Sequence, residues 1–373
     1  MKRIRVSILP ILLAILTISA GCNAFANSFH EPITFEISGS LPYGKQQELR
    51  ERMEQFFLEN GGFSGAILVA QGDDIIISES FGITDFETEN PNTLDTPFLL
   101  MDVTQIITGA AIFLLEMDGK LDTTDTLDNY FGGHENLRYV TVGHLLARRG
   151  GFGGNTPHVR AFLVEPDEIG NMTPSQFEPY AIAHWRGGAL NCPYASMDYW
   201  MLGRVIEEAS GMSYEEFVMT RIFEPAGMQN AGFIGIHESA MPLYMNFRFH
   251  DLWESLLNAE EFPFFLYFSM RGIVASANDL SLFLGAFFDG ELFGEYMLDR
   301  IPVEEFNYGW WFHDSGLWYN TIIENVSPSE GSAIIYDPDS NTKIIVLSNL
   351  WTGNGTAGTL AELIAEVLFG IQI

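Results

Sequence analysis

The chain has 373 residues, 47% of them hydrophobic, and a formal net charge of −31 at pH 7. This composition provides enough apolar material for one large domain or two ordinary ones and excludes wholesale disorder. A nucleic-acid partner is excluded as well, because phosphates require a basic surface. The acidic residues are scattered rather than grouped, which favours a solubilising role over a functional acidic patch.

The first 26 residues have the pattern of an export signal. The basic stretch "MKRIR" precedes the apolar "VSILPILLAILTISA", which is short for a membrane span. Two processing routes remain open. "ISAGC" is similar to a bacterial lipobox and would leave a lipidated Cys22 at the mature N-terminus. "AFA" at 24–26 is a signal-peptidase site that would release a chain starting at Asn27. Both routes predict an exported protein of the periplasm, cell envelope or extracellular medium.

The remaining sequence predicts an α/β protein of the α+β type. An amphipathic helix at 44–61 is followed by a hairpin with "QGDD" as its turn, a long helical middle, several β-rich segments and a final helix. This order predicts an antiparallel sheet built from both chain ends, with the first and last helices on one face and a large helical insert. We expect a single domain over 27–373, in which 27–100 and 300–373 form the α/β part and 101–299 the mainly helical part.

Three motifs stand out in this order of elements. The longest and most specific is "PYASMDYWMLGRVIEEASGMSYEEFVMTRIFEPAGM" at 193–228, and "RGIVASANDLSLFL" and "YDPDSNTKIIVLSN" follow it. Together they resemble the serine β-lactamase and penicillin-binding-protein superfamily, nearest to its class C-like, β-lactamase-related hydrolases. The second motif is similar to the superfamily's "GGLxSTAxDLxxFL", and the third to its last two strands. The resemblance covers nearly all of the mature chain and implies a β-lactamase/transpeptidase-like fold.

The resemblance also implies a chemistry, acyl transfer at the serine of an S-x-x-K motif that starts a helix. The lysine takes the serine's proton, a tyrosine assists, and a strand motif such as H-x-G or K-T-G lines the site. Here Asp102 stands at the serine position and Gln105 at the lysine position. Tyr194 of the second motif is kept, whereas Ser196 replaces the usual asparagine.

Two further motifs also differ from the superfamily. The strand motif aligns with Ile323, Glu324 and Asn325, in a region where loop length varies. The superfamily's "HTSGL" reads "RRGGF" here, from Arg148 to Phe152. An aspartate that attacked an amide would have to form an anhydride, and glutamine has no basic nitrogen to take a proton. Loss of the nucleophile alone costs serine hydrolases about 10⁶ in rate.

Several of these residues have alternative roles. Asp102 could be a new nucleophile or a metal ligand, but a helix cap or a local hydrogen bond is the favoured interpretation. The eight histidines lack metal-ligand spacing, so we predict neither a metal nor a cofactor. Arg148 and Arg149 could bind a substrate carboxylate or pair with local acidic groups. Trp310 and Trp311 could line a ligand groove or pack in the sheet core.

Three hypotheses follow. The first is a non-catalytic, exported binding or scaffold protein of the cell envelope. The second is an active hydrolase of β-lactam, D-Ala-peptide or ester substrates that uses a non-standard site. The third is an envelope-tethered partner of an active paralogue. The resemblance implies a peptidoglycan-like peptide or a small ester or amide as ligand, with membrane contact only through a lipid anchor, and the oligomeric state stays open.

Overall fold

A computed structural model of the chain describes residues 35–38, 41–84, 89–152, 172–183, 185, 196–234, 267–293, 308–320, 331–349 and 357–371. Cys22, Tyr194 and Glu324, with the whole predicted export signal, lie outside these residues. None of the described helices is both long and apolar enough to cross a membrane.

The larger sheet is fully antiparallel, and the two ends of the chain build it together. Its strand order is β2-β1-β9-β8-β7-β6. A smaller sheet has the order β3-β5-β4. The strands are β1 (Gly65–Gln71), β2 (Asp74–Phe81), β3 (Phe98–Leu99), β4 (Gly232–Phe233), β5 (Ile273–Ala275), β6 (Trp311–Phe312), β7 (Trp318–Asn320), β8 (Ser332–Asp337) and β9 (Thr342–Ser348).

In the sequence, most of the described helices lie between the first two strands of the larger sheet, β1 and β2, and its last four, β6 to β9. They are α1 (Tyr43–Glu59), α2 (Thr104–Met117), α3 (Val142–Leu146), α4 (Pro174–Ala183), α5 (Ser196–Ser210), α6 (Tyr214–Val218), α7 (Glu224–Ala226), α8 (Phe268–Arg271), α9 (Ala277–Phe288) and α10 (Ala357–Phe369). Short 3₁₀ turns occupy Met101–Val103, Leu127–Asn129 and Glu135–Tyr139.

The central strands of the large sheet are buried on both faces. Along β1, Ala66, Leu68 and Ala70 point into the core that contains α2 and α5, whereas Ile67 and Val69 point into a second core. This alternation follows from the two-residue period of a strand. The first and last helices, α1 and α10, cover the second core, as the sequence predicts.

The chain stays helical through Pro225, although proline usually interrupts a helix. A π-type turn at Met219–Phe223 joins α6 to α7, and Pro225 lies in the first turn of α7. A proline is tolerated in the first turn of a helical segment, because the N–H that it lacks would have no partner within the helix there. The helix ends two residues later at Gly227, which has a left-handed φ of 75°.

Candidate active site

The start of α2 is locked to the small sheet and to β8. The amide of Leu100 donates to the carbonyl of Ile273 at 2.9 Å, and the amide of Ile273 donates to Thr104 Oγ1 at 3.3 Å. The hydroxyl of Ser332 donates to the carbonyl of Leu100. Between these anchors Met101 has a φ of 50°, and a non-glycine residue in this region costs about 1 kcal/mol or more. The residue at the nucleophile position is therefore presented on a strained, fixed turn.

Asp102, at the nucleophile position, forms an ion pair across the site with Arg271 at the end of α8. Arg271 donates through Nε to Oδ1 at 2.8 Å and through Nη2 to Oδ2 at 3.3 Å. Gln105 Nε2 donates to the same Oδ1 at 3.0 Å. The side chains of Asp102 and Arg271 are only 16% and 13% exposed. Burial lowers the pKa of Arg271, but the charge and the hydrogen bonding of Asp102, together with Tyr267, outweigh it, so the net pKa is raised.

The Asp102 carboxylate does not cap the helix. Neither the 3₁₀ turn nor α2 has a side-chain cap hydrogen bond. The predicted local hydrogen bond is present, from Gln105 three residues on. The capping role is wrong because Asp102 is the second residue of the 3₁₀ turn rather than an N-cap residue, and its oxygens accept from Arg271 and Gln105 instead.

Gln105 bridges the ion pair to Arg148, which follows α3. Arg148 donates to Gln105 Oε1 from Nη2 at 2.5 Å and from Nε at 3.2 Å. Its guanidinium lies over the ring of Tyr199 at 4.8 Å and over that of Trp311 at 4.5 Å. Asp102, Gln105, Arg148 and Arg271 thus form one connected set of hydrogen bonds, called the polar network below.

The turn that carries Arg148 is held from beneath by Asp198 of α5. Arg148 has a φ of 55°. The fully buried Asp198 accepts from the amide of Gly150 at 2.8 Å and from that of Phe152 at 3.2 Å. Burial raises the pKa of Asp198 to about 7, against the lowering effect of these hydrogen bonds and of the Arg148 charge. Trp185 Nε1 donates to the carbonyl of Gly150 at 2.8 Å.

The polar network contains neither the serine nor the lysine that the resemblance assigns to acyl transfer. Both carboxylate oxygens of Asp102 already accept hydrogen bonds from a cation, which lowers their reactivity as nucleophiles. The guanidinium groups of Arg148 and Arg271 have only donors and no acceptor, so they do not act as bases. No cluster of three or more His, Cys, Asp or Glu that could hold a metal occurs among the residues that the structure describes.

The remaining predicted site residues differ in burial and in how close they lie to the polar network. Ser196 is buried as the first residue of α5. Arg149 is exposed beside Arg148, and its amide donates to the carbonyl of His144. Trp311 is half-buried against Arg148, which leaves it close to the network.

Trp310 does not face the site. Its ring is fully buried and packs on Phe287, Phe288 and Trp318 at 5.6–5.9 Å. This contact set fits the sheet-core interpretation and not a ligand contact.

Arg271, Asp198 and Tyr199 belong to the site but were not predicted from the sequence. Arg271 had a usable signal, since it stands where "GGLxSTAxDLxxFL" begins with glycine, and a glycine replaced by a cation changes the space and the charge there. Asp198 was detectable only as an acid on the buried side of an amphipathic helix. Tyr199 carries no sequence signal beyond its apolar position in α5.

The family model named Beta-lactamase matches residues 46–369. PbpX of Bacillus subtilis (strain 168) is 25% identical over 315 residues, which are 84% of this chain and 77% of PbpX. The teichoic acid D-alanine hydrolase of Staphylococcus aureus (strain MRSA252) is 24% identical over 48% of this chain and 43% of its own, so the match spans less than half of that enzyme. The crystal structure of a penicillin-binding protein from Bacillus halodurans superposes with a TM-score of 0.67 at 20% identity, covering 86% of this chain and 99% of the other.

The fold, the motif order and the matched range define the class: a β-lactamase/transpeptidase-like protein. The chain belongs to the Beta-lactamase family, whose model spans its sequence from α1 to α10. The predicted resemblance and fold class are confirmed.

Proposed function

We propose that this chain is a non-acylating member of the Beta-lactamase family, exported to the cell envelope, that acts as a binding or scaffold protein. The observation that carries the proposal is the polar network at the serine and lysine positions. Each of the two altered residues has a specific partner, Arg271 for Asp102 and Arg148 for Gln105.

The pairing supports a replaced function rather than a site damaged at random. A lone buried carboxylate at the serine position would cost several kcal/mol. Arg271 removes that cost from the far side of the site, 169 residues away in the sequence. A glutamine in place of lysine is neutral, and it donates to the acid and accepts from Arg148 at the same time. The four residues therefore stabilise one another without a nucleophile.

The proposed ligand class is taken from the relatives of this chain. One relative is a D-alanine hydrolase of teichoic acid, and a structural neighbour is a penicillin-binding protein. We propose that the candidate active site binds, without cleaving, a D-alanine-bearing envelope component such as a peptidoglycan-like peptide. The predicted export signal supports an envelope location, with or without lipid on Cys22.

A covalent label tests the loss of acyl transfer. The purified chain is incubated with a fluorescent penicillin and with a fluorophosphonate ester, beside an active penicillin-binding protein as the positive control. We expect no stoichiometric label by electrophoresis or intact mass. Stoichiometric labelling at any residue would overturn the proposal.

Binding is measured separately. Isothermal titration with a D-Ala-D-Ala-terminated peptide is expected to give saturable binding with the peptide recovered intact. The matched peptide that ends in L-Ala-L-Ala is the control. Equal or absent binding of the two peptides would reject the ligand class and leave the test of acyl transfer unaffected.

A further inference from the structure

A buried carboxylate lies directly beneath the turn that carries Arg148 into the polar network. Asp198 is the third residue of α5, and its side chain has no exposed surface. Its two oxygens accept from two different backbone amides of one turn, those of Gly150 and Phe152. The carboxylate is therefore the anchor on which residues 148–152 are folded.

This turn is under backbone strain. Arg148 adopts a φ of 55° with a full side chain, a left-handed conformation that is strained for a non-glycine residue. Gly150 permits the close approach, because a Cβ there would lie 2.9 Å from Asp198 Oδ1 and 2.4 Å from Leu145 Cδ2. Such a turn keeps its shape only while the surrounding hydrogen bonds hold it.

The strain and the anchor act on the same side chain. Arg148 is held between the rings of Tyr199 and Trp311 and donates to Gln105. Gln105 in turn donates to Asp102. Movement of the turn would therefore be transmitted to the nucleophile position through two hydrogen bonds.

Other groups near Asp198 are few among the described residues. Arg148 is the charged group that acts on it from outside α5, and Tyr199 is the titratable neighbour on its own helix. On the α3 side, Leu145 packs at Gly150, while the imidazole of His144 is exposed and bonded to the amide of Thr141. From α2 the neutral amide of Gln105 reaches the same Arg148 side chain.

We propose that Asp198 is a proton-controlled positioning residue that switches the 148–152 turn between a held state and a released state. As a carboxylate it accepts both amides and attracts Arg148, so the turn is held. As a neutral acid its hydroxyl oxygen becomes a donor, so one amide loses its acceptor and Arg148 loses a counter-charge. The turn then relaxes, and the contact of Arg148 with Gln105 loosens.

The change falls in an accessible range of pH. Burial raises the pKa of Asp198 from 3.8 to about 7, so the held state exists above that value and the released state below it. The proposal concerns the conformation of the site and does not depend on which ligand the site binds.

Amide hydrogen exchange of the full mature chain tests the switch. After correction for intrinsic rates, protection at Gly150 and Phe152 is expected to fall about tenfold from one pH unit above to one unit below the Asp198 pKa, since one charge-assisted hydrogen bond is worth about 1.5 kcal/mol. Asp198→Asn should abolish this step. The matched change Asp73→Asn, at an exposed acid of the β1–β2 turn, should keep it.

A second variant keeps the test decisive if Asp198→Asn does not fold. The Arg148 charge lowers the pKa of Asp198, so Arg148→Met should move the midpoint of the step to higher pH and Arg148→Lys should leave it near the wild-type value. A flat wild-type profile, a step that survives Asp198→Asn, or a midpoint that Arg148→Met leaves in place or lowers would each overturn the proposal.

Discussion

Arg271 and Asp102 are 169 residues apart in the sequence, yet they form the two-bond ion pair that occupies the nucleophile position. Both side chains are largely buried. Hydrogen bonds to charged groups are worth about 1.5–3 kcal/mol, and removal of one partner leaves the other charge without compensation. The pair therefore contributes to the fold, and it occupies the position that the family's serine would take.

Arg271→Ala is expected to lower the free energy of unfolding by about 2–3 kcal/mol. The matched control is Arg221→Ala, which breaks the exposed pair with Asp118, 39% and 37% accessible, and should cost less than about 1 kcal/mol. Urea unfolding measures both. In a double-mutant cycle Asp102→Ala should cost less in the Arg271→Ala background than alone. Simple additivity would show that the two side chains do not interact.

Gly309 packs closely against the start of α2. A Cβ there would lie 2.4 Å from the carbonyl oxygen of Gln105, and its φ is 94°. Gly316 has a φ of 95°, and a Cβ added there would meet nothing within 4 Å. Gly316→Ala therefore carries the backbone strain alone, and Gly309→Ala should cost about 1–3 kcal/mol more because of the clash. Equal melting temperatures for the two variants would contradict the close packing.

Glu362 of α10 gives the fold a pH dependence. Burial, and then the charge of Glu366, raises the pKa of Glu362 from 4.5 to about 7. Ionisation is thus less favourable in the folded state, so stability is lost progressively as the pH rises from 4.5 to about 7. Glu362→Gln should remove this part of the decline and be more stable than wild type above that range. Glu59→Gln, at an exposed position of α1, should follow the wild-type profile in thermal melts across pH.

Placing serine at position 102 and lysine at position 105 tests whether Arg271 obstructs the nucleophile position. Asp102→Ser with Gln105→Lys leaves Arg271 in place, and we expect little or no labelling by fluorescent penicillin. Adding Arg271→Gly should raise the labelling rate at least about tenfold, because a cation no longer fills the space beside the serine and misplaced groups cost about 10² in rate. The same substitution in the wild-type background is the control and should not label. Equal rates with and without Arg271 would show that it does not obstruct the site.

Much of the fold could be predicted from local sequence patterns. The amphipathic helix predicted at 44–61 is present over Tyr43–Glu59, and it buries Leu49, Met53, Phe56 and Phe57, since a 3.6-residue period fixes which residues share a face. The hairpin of β1 and β2, with its turn at "QGDD", follows from local composition as well. The length of the helical run through Pro225 was not predictable, because the π-type turn before it depends on packing.

The sequence by itself determined the family, the order of the elements and the loss of serine and lysine at positions 102 and 105. Only the tertiary structure decided what the replacements do. Arg271 reaches Asp102, Arg148 reaches Gln105 and Asp198 reaches the 148–152 turn through contacts between segments distant in the sequence. Periodicity describes which side of an element is buried, but it contains no information on which charged side chain lies opposite once the elements pack together.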